Sequence, residues 1–242
     1  MNVYFLLLLP AVFAIYLRWV SPGRLLQRLG ARPAETTSVW RNVNQRLADV
    51  AKRHRVPSPR LWILPEFSPN ALVLRPGREV QVALTEGIVR ALDEDELDGV
   101  LSLCLAHGHQ RGRWWQTWVG CLFYPVAQLI QGYPLPAQLL LSPVVTCLLR
   151  GTIRPSFFLK ADRTAAEFQT QWRIAAVLQK LAVVGRKIPL RRWNLAVDSL
   201  FLVSPLALDG TPLWAFQAQP TVENRRRALL DGSACESAVS LS

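Results

Sequence analysis

The sequence predicts an α+β protein: a mainly helical body with a small β-sheet, plus an N-terminal transmembrane helix and a membrane hairpin. Three observations carry this. Residues 2–17 are almost wholly apolar and hold no charge. Residues 115–149 contain no Asp, Glu, Lys, Arg or His. Elsewhere, stretches with helical apolar spacing flank a β-rich block at 60–84.

Composition narrows the class. The chain has 242 residues, 50% apolar and 19% charged, with a net charge of +11. That length suits one domain with appendages, and so much apolar surface excludes disorder. Four Cys exclude a disulfide scaffold. The apolar residues do not form the many long runs of a polytopic membrane protein. The basic excess is mostly Arg, which suits phosphates and lipid headgroups. No Gly-rich phosphate loop or nucleic-acid module is present, so nucleic acid is excluded as a partner.

The elements follow in order. Residues 1–21 read as a membrane helix, since about 20 mostly apolar residues span a bilayer. Arg18 snorkels and Trp19 joins the aromatic belt. No basic stretch precedes the run and no small-x-small site follows it, so it is not a cleaved signal. Val39, Val43, Leu47 and Val50 mark a helix over 38–54, ended by Pro57 and Pro59. Arg60–Leu64, Ala71–Leu74 and Glu79–Leu84 read as strands, with Pro76-Gly77 turning between the last two. A helix runs from Glu86 to Leu92. The acidic run Asp93–Glu96 suits the N-terminus of another, Asp95–Trp114, which leads straight into the hairpin.

The hairpin occupies 115–149, with turn chemistry at 131–136. Its arms of roughly 16 residues are short for a span, so it either crosses or only inserts, and a buried core hairpin is the alternative. Pro125 and Pro143 would kink the arms. Beyond it, Pro155 opens a long helix reaching Gly185. A basic loop follows at 188–193, then a buried helix over Leu195–Leu206. A short helix at Glu223–Leu230 precedes a flexible tail over 231–242.

Flanking charge sets the orientation. Arg18, Arg24, Arg28 and Arg32 follow the first segment, Arg111 and Arg113 precede the hairpin, and Arg150 and Arg154 follow it. The hairpin tip is uncharged. The positive-inside rule then puts the N-terminus outside and the main domain in the cytoplasm, with lipid as a partner; a bacterial inner membrane is the expected setting. Cytoplasmic thiols stay reduced.

A family resemblance lies in the order of several motifs. Arg60–Leu64, Pro69-Asn70-Ala71, Val80–Thr85 with Gly87, Asp95–Ser102, Ala161-Asp162-Arg163, and Gln219-Pro220 with Glu223 and Arg225 occur in sequence. Together they resemble the HtpX and CAAX-prenyl-protease family of integral-membrane zinc metallopeptidases, over roughly residues 38 to 230. The resemblance implies a gluzincin-like fold, in which 22–114 and 150–230 are two parts of one peptidase-like domain interrupted by the hairpin.

The departures from the family pattern carry the functional reading. The family's H-E-x-x-H motif puts two zinc ligands and a general base on one helix face. Here that stretch reads Leu103-Cys104-Leu105-Ala106-His107. The resemblance puts the first ligand at Leu103, the base at Cys104 and the second ligand at His107, the one residual ligand candidate. The third ligand falls at Phe158. Asp162 keeps the place of a residue that supports a zinc-binding His, and Gln219 replaces a His that assists at the transition state. A catalytic zinc needs three protein ligands and an open position. The reading is therefore a pseudoenzyme with no catalytic residues, no bound metal and no cofactor, where the family uses zinc. It would act as a membrane-anchored scaffold, adaptor or regulator. Its partner would be another membrane protein or an extended peptide added to a strand near Val80–Leu84. The alternative is an active membrane zinc metalloendopeptidase with unconventional ligands. A third is a membrane-complex subunit that binds no peptide. The sequence leaves the oligomeric state open.

Cys104 and His107 share a helix face at i and i+3. With Asp162 they would make a thiol hydrolase, a novel metal site or, in the simpler reading, a buried Cys beside an Asp-bonded His. His54 and His109 read as surface residues, Cys121 and Cys147 as apolar fillers, Trp114-Trp115 as an interfacial anchor, and Arg225–Arg227 as a solvated helix face.

Overall fold

The computed structural model describes residues 21–34, 38–134, 154–208 and 219–239, with scattered positions between 135 and 153. The elements are α1 (Pro22–Arg28), β1 (Arg32–Pro33), α2 (Ser38–Arg53), β2 (Arg60–Leu64), β3 (Ala71–Leu74), β4 (Gln81–Thr85), α3 (Glu86–Ala91), α4 (Glu94–His109) and α5 (Arg113–Gln131). Then come α6 (Pro155–Ala166), α7 (Gln171–Lys187), a 3-10 turn at Asp198–Leu200, α8 (Pro205–Leu208) and α9 (Val222–Val239).

The sheet has the order β1-β2-β4-β3. β4 is interior, parallel to β2 and antiparallel to β3, with Ala71 opposite Leu84. β3 and β4 are buried on both faces, which suits the wholly apolar β3 and the Val82-Ala83-Leu84 centre of β4. Successive β3 residues feed two cores, as a period of two requires. Ala71 and Val73 join the core of α2, α4 and α7. Leu72 and Leu74 join Leu25, Leu26, Leu200 and Phe201 on the other side.

α4 is the central helix. Asp93 and Glu96 form a reciprocal capping box at its start. Asp95 pairs with Arg173, Glu96 with Lys180, and Asp98 with Arg53, tying its first turns to α7 and α2. Every residue from Gly99 to Gly108 is buried. Such all-round burial marks a core helix rather than an amphipathic surface one.

Helix α1 carries a signal that apolar periodicity misses. Pro22 sits in its first turn. Gly30 follows its end at φ 81°, while Ala31 N–H donates to Leu26 O and Gly30 N–H to Gln27 O. This is a Schellman cap, whose left-handed residue favours Gly.

Several expected boundaries move. The helix expected over Asp95–Trp114 stops at His109, because Gln110 is extended and Gly112 turns the chain. A Cβ on Gly112 would come within 2.5 Å of the tip of the Phe157 ring, so a larger residue at this junction would have to displace that ring. The long helix expected from Pro155 to Gly185 is split, with Thr170 extended before α7. Phe168, in the break, stacks on His54 at 3.8 Å. The helix expected over Leu195–Leu206 is mostly a 3-10 turn and extended chain. Its carbonyls are spent elsewhere: Gln219 donates to Asp198 O and Phe201 O, Arg113 to Ser199 O and Leu200 O, and Arg225 to Leu202 O. An α-helix would need those oxygens for its own N–H groups. The last helix runs past Asp231, where a flexible tail was expected, to Val239.

The membrane readings meet a limit. The N-terminal segment 1–20 and most of the second hairpin arm lie outside the described residues. Among the described residues, no helix is long and apolar enough to cross a membrane. The first arm is α5, which continues through Pro125. One face packs on the body through Gln116, Thr117, Gly120 and Cys121. The other exposes Trp114, Trp115, Val126 and Leu129. Cys147 is exposed.

Candidate functional site

The site begins on α4. Leu103, Cys104 and His107 are all buried there, in the sheet-facing core or beside it. α6 brings Phe158 and Asp162 against them, and α9 adds Arg225. His107 Nε2 lies 3.2 Å from Asp162 Oδ1. Arg225 donates Nε to Asp162 Oδ2 at 2.7 Å and Nη2 to Oδ1 at 2.6 Å. Its Nη1 donates to Leu202 O at 2.5 Å. Nη2 also lies 3.3 Å from His107 Nε2. The Phe158 ring closes the group, 5.6 Å from the His107 ring and 5.7 Å from the Arg225 guanidinium carbon.

Charge states follow from burial and partners. Burial alone would raise the Asp162 carboxyl, but Arg225 and then His107 outweigh it and hold it at about 2. Burial pushes His107 down to about 4, against the pull of Asp162 and with the help of Arg225 and Arg113. The His107–Asp162 contact is therefore a hydrogen bond from a neutral imidazole, not an ion pair. A carboxylate only accepts, so the proton sits on Nε2. The ion pair proper is the two-pronged Asp162–Arg225 contact, the strong geometry for these groups.

A second buried cation stands beside this group. Arg113 is 2% exposed and donates Nε to Val73 O, Nη1 to Gln116 Oε1 and Ser199 O, and Nη2 to Leu200 O. Burial lowers it to about 9, so it is still charged at neutral pH. It was read above as a cytoplasmic flank charge; its guanidinium instead lies in the interior, holding β3 to the turn at 198–200. Arg225 corrects the solvated-face reading in the same way, since it is fully buried.

The residues present do not fit zinc. Leu103 and Phe158 cannot ligate, and Nε2 of His107 is already engaged as the donor to Asp162. Arg225 already pairs with the carboxylate of Asp162, and the positive charge of both Arg225 and Arg113 acts on His107, which disfavours a dication there. The space bounded by His107, Gln110, Arg113, Gln116, Phe157 and Phe158 is about 10 Å³, roughly one water. Among the described residues, no three His, Cys, Asp or Glu side chains cluster to hold a metal.

The other sequence candidates fall as follows. No hydrogen bond among the described residues joins Cys104 to His107. Burial pushes the Cys104 thiol far above its ordinary range, although Arg113 opposes this, so a thiolate nucleophile is disfavoured. Gln219 is buried but turns to the carbonyls of Asp198 and Phe201 rather than to His107. His109 is half-buried, with Nδ1 3.0 Å from Leu105 O. His54 is not solvated as expected: burial, then Arg53, lowers it to about 4.

The edge expected to receive peptide is also reassigned. Val80–Leu84 is interior, since β4 pairs on both sides. The outer strands are the two-residue β1 and β3, and the chain covers β3. Leu72 bridges Phe201. Leu202 N–H donates to Ala71 O at 2.8 Å, Asn70 Nδ2 to Val203 O at 2.7 Å, and Arg113 to Val73 O at 3.1 Å. Strand addition has no free ladder along β3.

Arg113, Asn70 and Asp198 were missed as site residues. Asn70 stood in a quoted motif with no assigned role. Nothing in spacing marks Arg113 as buried, because it abuts Trp114-Trp115 and Arg111.

No family model matches the chain. Several curated relatives do. A protease HtpX homolog of Desulforapulum autotrophicum is 30% identical over 248 residues, covering 91% of this chain and 77% of the relative. One of Gemmatimonas aurantiaca is 29% identical over 240 residues, covering 90% and 85%. One of Methanocaldococcus jannaschii is 27% identical over 251 residues, covering 93% and 86%. Among solved structures, the crystal structure of S. mikatae Ste24p matches with a TM-score of 0.50 and 14% identity. It covers 93% of this chain but 58% of that one, and shows a shared fold. The motif order resembling that family and this near-full-length similarity agree: the chain belongs to the HtpX protease family.

Proposed function

We propose that this chain is a non-hydrolysing member of its family, a membrane-anchored scaffold, adaptor or regulator built on a metallopeptidase fold. One observation carries the reading. The Arg225 guanidinium donates twice to Asp162 and lies 3.3 Å from His107 Nε2, so the one ligand candidate left, His107, is held inside a closed and buried ion-pair group. Leu103 and Phe158 fill the neighbouring ligand positions. No water-activating carboxylate replaces the one lost at Cys104. The charge-free N-terminal run, with Arg24, Arg28 and Arg32 after it, supports anchoring with the body in the cytoplasm.

The partner is better sought as a folded membrane protein than as an extended peptide, because the outer edge of β3 is covered by residues 201–203. The test is zinc content and proteolysis of the full chain purified in detergent from zinc-supplemented cells. Substoichiometric zinc and intact casein are the expected results. Stoichiometric zinc that disappears in Cys104→Ala or His107→Ala, with casein cleavage, would establish the peptidase reading instead. Affinity capture from native membranes, with mass spectrometry, then identifies the partner.

A further inference from the structure

A second cavity lies apart from the buried His107 group. It measures about 570 Å³ and opens between the ends of α2 and α4 and one side of α6, well within the range of small-molecule sites. Phe157 and Gln110 border both spaces and separate them. Its wall is two-sided in chemistry. Leu105, Ala106, Phe157 and Phe168 give apolar surface, while Arg111 and Lys160 stand at the rim. Among the described residues neither cation is in an ion pair. Glu167 is the one carboxylate on the wall, leaving an excess of positive charge. His54 adds an unmet hydrogen-bonding atom, since its Nε2 is buried without a partner while its ring stacks on Phe168. An unpaired buried polar atom is costly unless a ligand or water meets it.

The surroundings point to the occupant. Arg111 leads directly into α5, whose exposed Trp114 and Trp115 pair at 6.0 Å between rings. Exposed tryptophans next to arginine are typical of a headgroup-level interface. Arg154, also exposed, enters α6 from the same segment. Arg and Lys bind phosphate through charge-assisted hydrogen bonds.

We propose that this cavity binds a phosphate-bearing amphiphile, with the phosphate held by Arg111 and Lys160 and the apolar part lying against Leu105, Phe157 and Phe168. The ligand is an anionic lipid of the surrounding membrane, and the site is independent of whether the His107 group is catalytic.

The test uses the full chain in dodecyl maltoside micelles, titrated calorimetrically with dihexanoyl phosphatidate, dihexanoyl phosphatidylcholine and inorganic phosphate. Phosphatidate binds most tightly. Arg111→Gln/Lys160→Gln weakens it by about tenfold or more, and so does Thr164→Trp, which fills the cavity and leaves both cations in place. Inorganic phosphate binding as tightly as phosphatidate would overturn the amphiphile. Loss in the charge variant with full binding in a folded Thr164→Trp chain would mean general surface attraction and would overturn the site. Undiminished binding in both variants overturns it as well.

Discussion

The side-chain amide of Asn70 serves Val203 as a strand would, donating Nδ2 to its carbonyl at 2.7 Å and accepting its N–H on Oδ1 at 3.2 Å. The same residue is bonded to Thr85 through its backbone. One residue thus fastens β3, β4 and the 201–203 segment. Asn70→Ala would leave both Val203 groups buried without partners. A loss of about 2–4 kcal/mol follows, at roughly 1–2 kcal/mol for each orphaned group, read as a lower urea midpoint. Asn70→Asp is no rescue, because a carboxylate repels the Val203 carbonyl. An unchanged midpoint for the Ala variant would refute this role.

The Asp162–Arg225 pair gives a second prediction. Arg225→Met strands a buried carboxylate and should cost about 3–5 kcal/mol. Asp162→Leu with Arg225→Met removes both charges, and the double variant should be more stable than the Arg225→Met single. A double variant destabilised by the full sum of the singles would show that the pair is not coupled.

Acid behaviour sets two buried groups against each other. Burial raises Asp198 to about 6, with Ser204 and the Leu206 N–H opposing. The unfolded chain ionises first, so this contribution is present below about pH 4 and is lost as pH rises through 6. His107, lowered to about 4, works the other way: its contribution is present above 6.5 and is lost as pH falls to 4. His54 and His109 add in the His107 direction, weakened by their exposure. Asp198→Asn keeps an acceptor for Ser204 and Leu206 and gives the unpaired Oδ2 position an N–H. It should stabilise the chain at pH 7 by about 3 kcal/mol, at 1.36 kcal/mol per pKa unit, and steepen the loss between pH 6 and 4. Thermal unfolding across that range decides it; parallel curves for variant and parent would count against the assignment.

Thiol reactivity separates an inert Cys104 from a nucleophilic one. Cys104 is buried, with its thiol pushed up, whereas Cys147 is exposed. Maleimide on the native chain should modify Cys147 and reach Cys104 only after denaturation, as peptide mapping would show. Native labelling of Cys104 ahead of Cys147 would revive the hydrolase reading.

Much of this architecture is legible in the sequence because its strands and α2 obey local rules: alternation, apolar spacing, and Pro or acidic residues at the ends. The strand bounds Arg60–Leu64 and Ala71–Leu74 are met as read. The segment 195–206 is not, because its shape is set by distant side chains that claim its carbonyls. Arg113 and Arg225 look like surface charges for the same reason: their partners are backbone oxygens far away, which no local pattern announces. Leu103, Cys104 and Phe158 could be read only against the family motif. His107 and Asp162 survive that reading, but the burial of Arg225 against them is set by the tertiary fold and has no local signature.

The interior is closed by groups that leave the ribosome late. Val203 meets Asn70 across 133 positions, and Arg225 reaches Asp162 across 63 and His107 across 118. Until residue 225 has been synthesised, Asp162 has no counter-ion and the carbonyl of Leu202 no donor. At about 5–20 residues per second, a nascent chain with its strands and α4 already made would wait several seconds for the cation that completes its core. Quality-control proteases and chaperones would meet it during that interval as an open sheet with a bare edge at β3.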